Sequence, residues 1–195
     1  MSAQAQPRLT PEQYLEQDRT SEFRNEYYNG RMYVMAGGTH RHAIIMGNTA
    51  FAIRRDLGKR PCLVTTSDLR VCVAPQGFYA YPDVVVVCNE PKYVDKKTDT
   101  LLNPVLVIEI LSSSTEAYDR GFKATQYRRM ESLQEYAFVS QDEPRVEVFR
   151  RQPSGDWLLS ESAVLDAACK FDSVGCVVPL ADVYDKVTFA GDEEG

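Results

Sequence analysis

The chain has 195 residues, 44% of them hydrophobic and 26% charged, which gives enough apolar sequence for a packed core and excludes a disordered chain. Its net charge is −6 and its pI about 5.0, which excludes a protein that grips nucleic acid with its whole surface; such contact needs a local basic patch or a metal. No apolar run reaches the roughly 18 residues of a membrane span. Met1 to Pro7 lacks the apolar centre of a secretion signal. The expectation is a single cytoplasmic domain over residues 1–195, with its core at about 9–187 and frayed polar ends.

Thr10-Pro11-Glu12-Gln13 is a helix start, with Thr10 as cap, Pro11 in the first turn and Gln13 closing a capping box; the helix runs to about Glu16. Residues 23–28 and 31–35 alternate around Asn29-Gly30, a strong two-residue hairpin signal. After the loop Ala36-Gly37-Gly38-Thr39, residues 41–57 carry Ile45, Thr49, Ala52, Ile53 and Leu57 at helical spacing, and Gly58 ends the helix. Strands are predicted at 62–66, 69–73 and 83–88, with a turn at Pro75 to Gly77 and a charged loop at 89–103. Val105 to Leu111 is apolar but for one residue and reads as a strand buried on both faces. A helix over about 117–130 follows, then strands at 136–140, 145–151 and 157–160, a short strand near Cys176 and a short helix from Leu180 to Tyr184. This order predicts an α/β or α+β fold with a mixed central sheet.

The five cysteines, Cys62, Cys72, Cys88, Cys169 and Cys176, include no C-x-x-C pair. They are expected to be reduced thiols, mostly buried, without a disulfide; a zinc site or a thiol nucleophile is the lesser alternative.

The chemistry begins at Glu109. It interrupts the apolar run Val105 to Leu111, and a carboxylate there is costly unless paired or bound to a metal. Asp83 stands at the mouth of a second apolar strand, Val84 to Val87. Two carboxylates on neighbouring strands of one sheet would make a site for a hard cation such as Mg²⁺ or Mn²⁺. Asp119, Lys123 and Tyr127 lie at i, i+4 and i+8 of the following helix, hence on one face. Taken alone, Asp119 and Lys123 form a solvated helix pair, and Glu26, His42 and Asp68 are hairpin, helix-start and turn residues.

These residues recur together in a pattern that resembles the Uma-two family. That bacterial group is regarded as restriction-endonuclease-like, of the PD-(D/E)XK nuclease type. The carriers are Glu26-Tyr27-Tyr28-Asn29-Gly30, Met35 to His42, Ser67 to Val71, Tyr81 to Val87, Val107 to Ser112, Ser114-Thr115, Asp119-Arg120, Lys123 and Tyr127. The resemblance implies a restriction-endonuclease-like mixed central sheet flanked by helices. It implies that Pro82-Asp83 and Glu109 are the motif's acids, and that Glu26, His42 and Asp68 line the same site. One position departs: the motif has a lysine two residues after the second acid, and this chain has Leu111. Lys123 is expected to supply that charge from the next helix.

The expected function is therefore a Mg²⁺- or Mn²⁺-dependent endonuclease hydrolysing DNA. Asp83 and Glu109 would hold the metal with the Ile110 carbonyl, and Lys123 would act on water and phosphate. Glu26, His42 and Asp68 would serve as further ligands or proton relay, and Tyr127 would position Lys123 or a phosphate oxygen. The alternative is a non-catalytic protein- or nucleic-acid-binding module on a nuclease-like fold; a third reading is a nuclease for RNA or a small nucleotide. The resemblance and the aromatic stretch from Tyr136 to Phe149, expected to be exposed, point to a homodimer.

Overall fold

A computed structural model describes residues 8–73 and 77–189. The expected turn at 75–77 falls largely outside these residues, as do the expected frayed ends at 1–7 and 191–195. Helix α1 (Pro11–Asp18) starts on the reciprocal Thr10–Gln13 capping box. Strands β1 (Asn25–Tyr28) and β2 (Arg31–Val34) form a hairpin. Its turn residues Asn29 and Gly30 both have positive φ, 49° and 83°, as a primed two-residue turn demands. Helix α2 (His40–Leu57) is capped by Thr39 and ends at Gly58.

Next come β3 (Cys62–Thr66), β4 (Arg70–Val73), β5 (Phe78–Ala80), β6 (Val84–Cys88), β7 (Thr100–Leu101) and β8 (Leu106–Ile110). Helix α3, residues 116–127, carries a π-turn at Asp119–Lys123, where the Ala124 N–H reaches back to the Asp119 carbonyl. The chain closes with β9 (Glu135–Val139), β10 (Arg145–Arg151), β11 (Trp157–Ala163), β12 (Ala168–Phe171), β13 (Cys176–Pro179) and α4 (Leu180–Val183).

Six strands form one mixed sheet in the order β11-β10-β9-β8-β6-β3. Its parallel pair, β8 with β9, is the one bridged by α3, because parallel neighbours need a long crossover. A second sheet runs β2-β1-β5-β4-β7, and β12 pairs with β13. Strand alternation explains the core. Val84 and Val86 of β6 and Leu106, Ile108 and Ile110 of β8 face α2, against Ile45, Ile53 and Leu57. Val85, Val87 and Val107 face the other way, against Val71, Phe78 and Ala80 of the second sheet and Tyr127 of α3.

Three short strands escaped the sequence reading. β5 has only three residues, β7 two within a charged loop, and β12 four with alternating exposure, so none makes a periodic run. The aromatic surface expected at Tyr136 to Phe149 is not exposed: Tyr136 and Phe138 are buried and stack edge to face. Exposed large apolar side chains lie instead along and beyond β11, at Leu158, Leu159, Val164 and Leu165.

The expectation of no disulfide is overturned. Cys62 and Cys88 are bonded, and they are direct partners in the antiparallel β3–β6 ladder. Sequence spacing gave no sign of this, because register rather than a local motif brings the two together, 26 residues apart. Cys72, Cys169 and Cys176 are free and buried. Alkylation of the denatured chain should modify three thiols without reductant and five with it. Reduction should cost at most about 3–4 kcal/mol, the loop-entropy scale for this separation. Five thiols in unreduced material, or an unchanged urea midpoint after reduction, would contradict the pairing.

Candidate active site

The strand register brings the two expected acids together. Val84 pairs with Ile108 and Val85 with Val107, so continuing the ladder sets Asp83 opposite Glu109. Both have the parity of Val85 and Val107, so both project from the same face of the sheet. The register of β6 and β8 thereby places two carboxylates at one end of an apolar sheet.

Asp83 is held on both oxygens. The Ile110 N–H donates to Oδ2 at 2.7 Å, and His42 Nε2 lies 2.8 Å from Oδ1. Ile110 thus engages the site through its amide. His42 arrives because the Thr39 hydroxyl accepts the His42 N–H at 3.1 Å and fixes the start of α2. Thr39 in turn donates to Gln141 at 2.8 Å, tying α2 to the loop after β9.

Glu109 is buried at 2% exposure. Lys123 comes from the π-turn of α3, and its Nζ sits 3.4 Å from Glu109 Oε1, 3.0 Å from Glu26 Oε1 and 3.2 Å from Asp119 Oδ1. Glu26 belongs to β1. The strand's first residue, Asn25, is anchored by the buried Asp18 carboxylate, which accepts its backbone N–H at 2.9 Å and the Arg70 guanidinium at 2.8 Å. Tyr118 donates to the other Glu26 oxygen at 2.8 Å, and Lys123 Nζ lies 5.6 Å from the Tyr118 ring centre. Leu111, at the position where the nuclease motif has its lysine, is buried in the apolar cluster on the Glu109 face. The ammonium therefore enters from the helix instead of the strand.

Burial is the largest influence on Glu109 and raises its pKa. Lys123 opposes the rise and the neighbouring Asp83, Asp119 and Glu26 add to it, leaving the pKa well above the usual value. For Lys123, burial acts downward, but Glu109, Glu26 and Asp119 outweigh it and the net shift is upward, so the lysine stays charged. Charge is unbalanced here: Glu26, Asp83, Glu109 and Asp119 face one lysine and one histidine.

His42 has a testable signature in metal-free protein. Burial lowers its pKa, but the hydrogen bond and charge of Asp83 prevail and raise it above 6.5. A raised folded pKa means that the His42–Asp83 pair contributes its full stability below the unfolded value near 6.5. That contribution is lost as pH rises through the folded value. NMR titration in EDTA should place the His42 midpoint above 6.5. In Asp83→Asn it should fall below, because burial remains and the charge is gone. Identical midpoints in both proteins would show that Asp83 does not set the ring's charge.

Two expected site residues do not line the cleft. Asp68, in the turn between β3 and β4, pairs with Arg24 at the surface, its side chain 80% exposed; Arg24 and Ser67 line the cleft and Asp68 does not. Tyr127, at the end of α3, is fully buried and packed on Phe78 and Tyr136 at ring separations of 5.8 and 5.5 Å; burial first, then the charges of Glu109, Glu26 and Asp119, raise its pKa, so it lies behind the acid cluster. It does not line the cleft and cannot touch a phosphate there. Tyr118 was missed by the sequence reading. Its signal was an aromatic pair at i, i+4 with Phe122, which stacks on it at 5.4 Å.

The acids and Lys123 form the floor of an open cleft of about 1020 Å³. Among the described residues, no group of three or more His, Cys, Asp or Glu side chains is already arranged to hold a metal ion. The donor chemistry nevertheless fits a hard divalent cation. Glu109 Oε1 is a buried oxygen that receives no aligned hydrogen bond and meets only the Lys123 ammonium, at 3.4 Å, Asp83 lies on the same face of the sheet, and carboxylate oxygens are the ligands Mg²⁺ and Mn²⁺ take.

Known proteins share this architecture. A crystal structure of a "putative nuclease" from Anabaena variabilis superposes with a TM-score of 0.75 at 18% identity, covering 92% of this chain and 99% of that one. Two uncharacterized proteins of Synechocystis are similar in sequence. One is 33% identical over 94% of this chain and 95% of its own length, the other 31% over 84% and 92%. The fold is thus restriction-endonuclease-like, with the mixed sheet expected from the sequence. The Uma2 family model, described as "Putative restriction endonuclease", matches residues 11–168, and the chain belongs to that family.

Proposed function

We propose that the chain is a Mg²⁺- or Mn²⁺-dependent endonuclease that hydrolyses DNA phosphodiester bonds. The observation that carries this is the ammonium of Lys123, buried among Glu26, Glu109 and Asp119 on the sheet face shared with Asp83. Asp83 and Glu109 would hold the cation, which when bound neutralises phosphate charge and acidifies a water. Lys123 orients the attacking water or offsets the charge that develops on the phosphate. Asp119 and Glu26 hold Lys123 in place, and Tyr118 holds Glu26. His42 fixes Asp83 and can pass a proton toward the cleft. Such an enzyme works in the cytoplasm, where DNA is.

Incubation with single-stranded DNA, double-stranded DNA and RNA in Mg²⁺ or Mn²⁺ tests the reading, with EDTA as control. Metal-dependent scission of DNA is the expected result, and its absence on every DNA substrate would sink it. A second reading has its own support: Lys123 already neutralises part of the acid cluster without a metal, as a non-catalytic binding module would require. Mn²⁺ titration by calorimetry separates the two, because a binding module has no use for a cation at Asp83 and Glu109. Any homodimer would draw on the exposed apolar residues along and beyond β11, and a light-scattering mass decides that point.

A further inference from the structure

We infer that the cleft is built for single-stranded DNA, seating an unpaired base against Phe23, Tyr33 and Tyr118 while the strand's phosphate meets the acid–lysine cluster. This rests on the proposed function and names the substrate class of the same site. Large aromatic side chains are left exposed at the mouth of the cleft: Phe23 at 60%, Tyr33 at 47% and Tyr118 at 38%. All three line the cleft that holds Asp83, Glu109 and Lys123.

Their placement is set by the fold. Tyr33 pairs with Glu26 across the β1–β2 ladder. Directly opposite residues share a face, so the ring stands on the Glu26 side of the hairpin. Tyr118 bonds Glu26 from the opposite wall and is backed by Phe122. A duplex has no use for such rings, because its bases are stacked on one another and it shows a protein mainly phosphates and groove edges. An unpaired base has two open faces, and stacking on aromatic side chains is how single strands are commonly held.

Charge completes the path. Beyond Thr39 and Ser112, which border both spaces, lies a second cavity of about 610 Å³ where Arg41 and Lys186 face Asp142, itself 3.8 Å from Arg41. It can take the neighbouring phosphate of a strand that runs from the cations, over the acids, to the rings. The local cations answer the overall charge of −6, which opposes any broad grip on a duplex.

The test is fluorescence anisotropy of a labelled DNA 12-mer in Ca²⁺, presented as a single strand, as its duplex, and as a single strand with abasic sites. RNA of the same sequence is a fourth arm. The single strand should bind at least 10-fold tighter than the duplex. The abasic strand and the variant Phe23→Ala/Tyr33→Ala should each lose roughly 10-fold of that affinity, the scale of one base stack. The duplex should be unaffected by the double variant. Equal binding of single strand and duplex, undiminished binding of the abasic strand, or RNA binding without DNA binding would each overturn the inference. The abasic arm decides even if the double variant does not fold. Failures of the two readings are distinct. Ring-dependent binding without scission would sink the endonuclease and leave this inference standing. Scission of the single strand undiminished in Phe23→Ala/Tyr33→Ala, with the duplex cut equally well, would do the reverse.

Discussion

Lys123→Met is expected to lower DNA cleavage by roughly 10²-fold or more, the scale of losing a general base or a charge-stabilising group. The ammonium lies within 3.4 Å of three carboxylates, so the same change also strips those acids of their cation. Removing one partner of a buried charge group costs about 3–5 kcal/mol, and the variant should be destabilised on that scale. The deficit should depend on pH. Glu109 already has a raised pKa with the lysine present, and without it the folded chain holds the Glu109 proton more tightly still. The deficit should therefore be larger at pH 8 than at pH 5 in urea unfolding.

Lys123→Met combined with Glu26→Gln removes one of the stranded charges and should recover part of the stability without recovering cleavage. That pattern separates chemistry from folding. Parent-like cleavage by either protein would reduce Lys123 to a structural cation and end its assignment to the reaction.

The sequence was most legible where periodicity is strong. α2 follows from its apolar spacing, the β1–β2 hairpin from Asn29-Gly30, and β6 and β8 from their valine and isoleucine runs. Glu109 and Asp83 were visible for the same reason, as charges set into or against apolar strands. Lys123 was visible because Leu111 left the motif's charge to be found elsewhere. Less was legible where tertiary register decides. The Cys62–Cys88 bond depends on the β3–β6 pairing, and the five-stranded sheet is completed by β5 and β7, too short to show a period. Asp68 illustrates the limit of a motif: it stands in the matching segment, yet a turn points it to solvent and to Arg24.

Glu109→Gln is expected to abolish most activity while making the fold more stable. The carboxylate lies at 2% exposure, its Oε1 receives no aligned hydrogen bond, and Asp83, Asp119 and Glu26 all act against its charge. Its one opposing influence, Lys123, keeps Glu26 and Asp119 as partners when Glu109 is neutral. A raised carboxyl pKa means the folded chain binds the proton more tightly than the unfolded chain. The parent should therefore lose stability as pH rises from about 4.5 toward the folded value, and Glu109→Gln should lack that loss. The gain at neutral pH should be on the order of 1 kcal/mol, typical of relieving a functional site that strains the fold. Activity should move the other way. A proposed cation ligand and several kcal/mol of charge stabilisation are lost, so cleavage should fall roughly 10²-fold or more at about 1.4 kcal/mol per decade. Mn²⁺ affinity measured by calorimetry should fall with it. Melting curves at pH 5 and 8 read the first half. A variant less stable than the parent at pH 8 would show Glu109 to be a structural anion satisfied by Lys123, and a variant that still cleaves would remove it from the cation site.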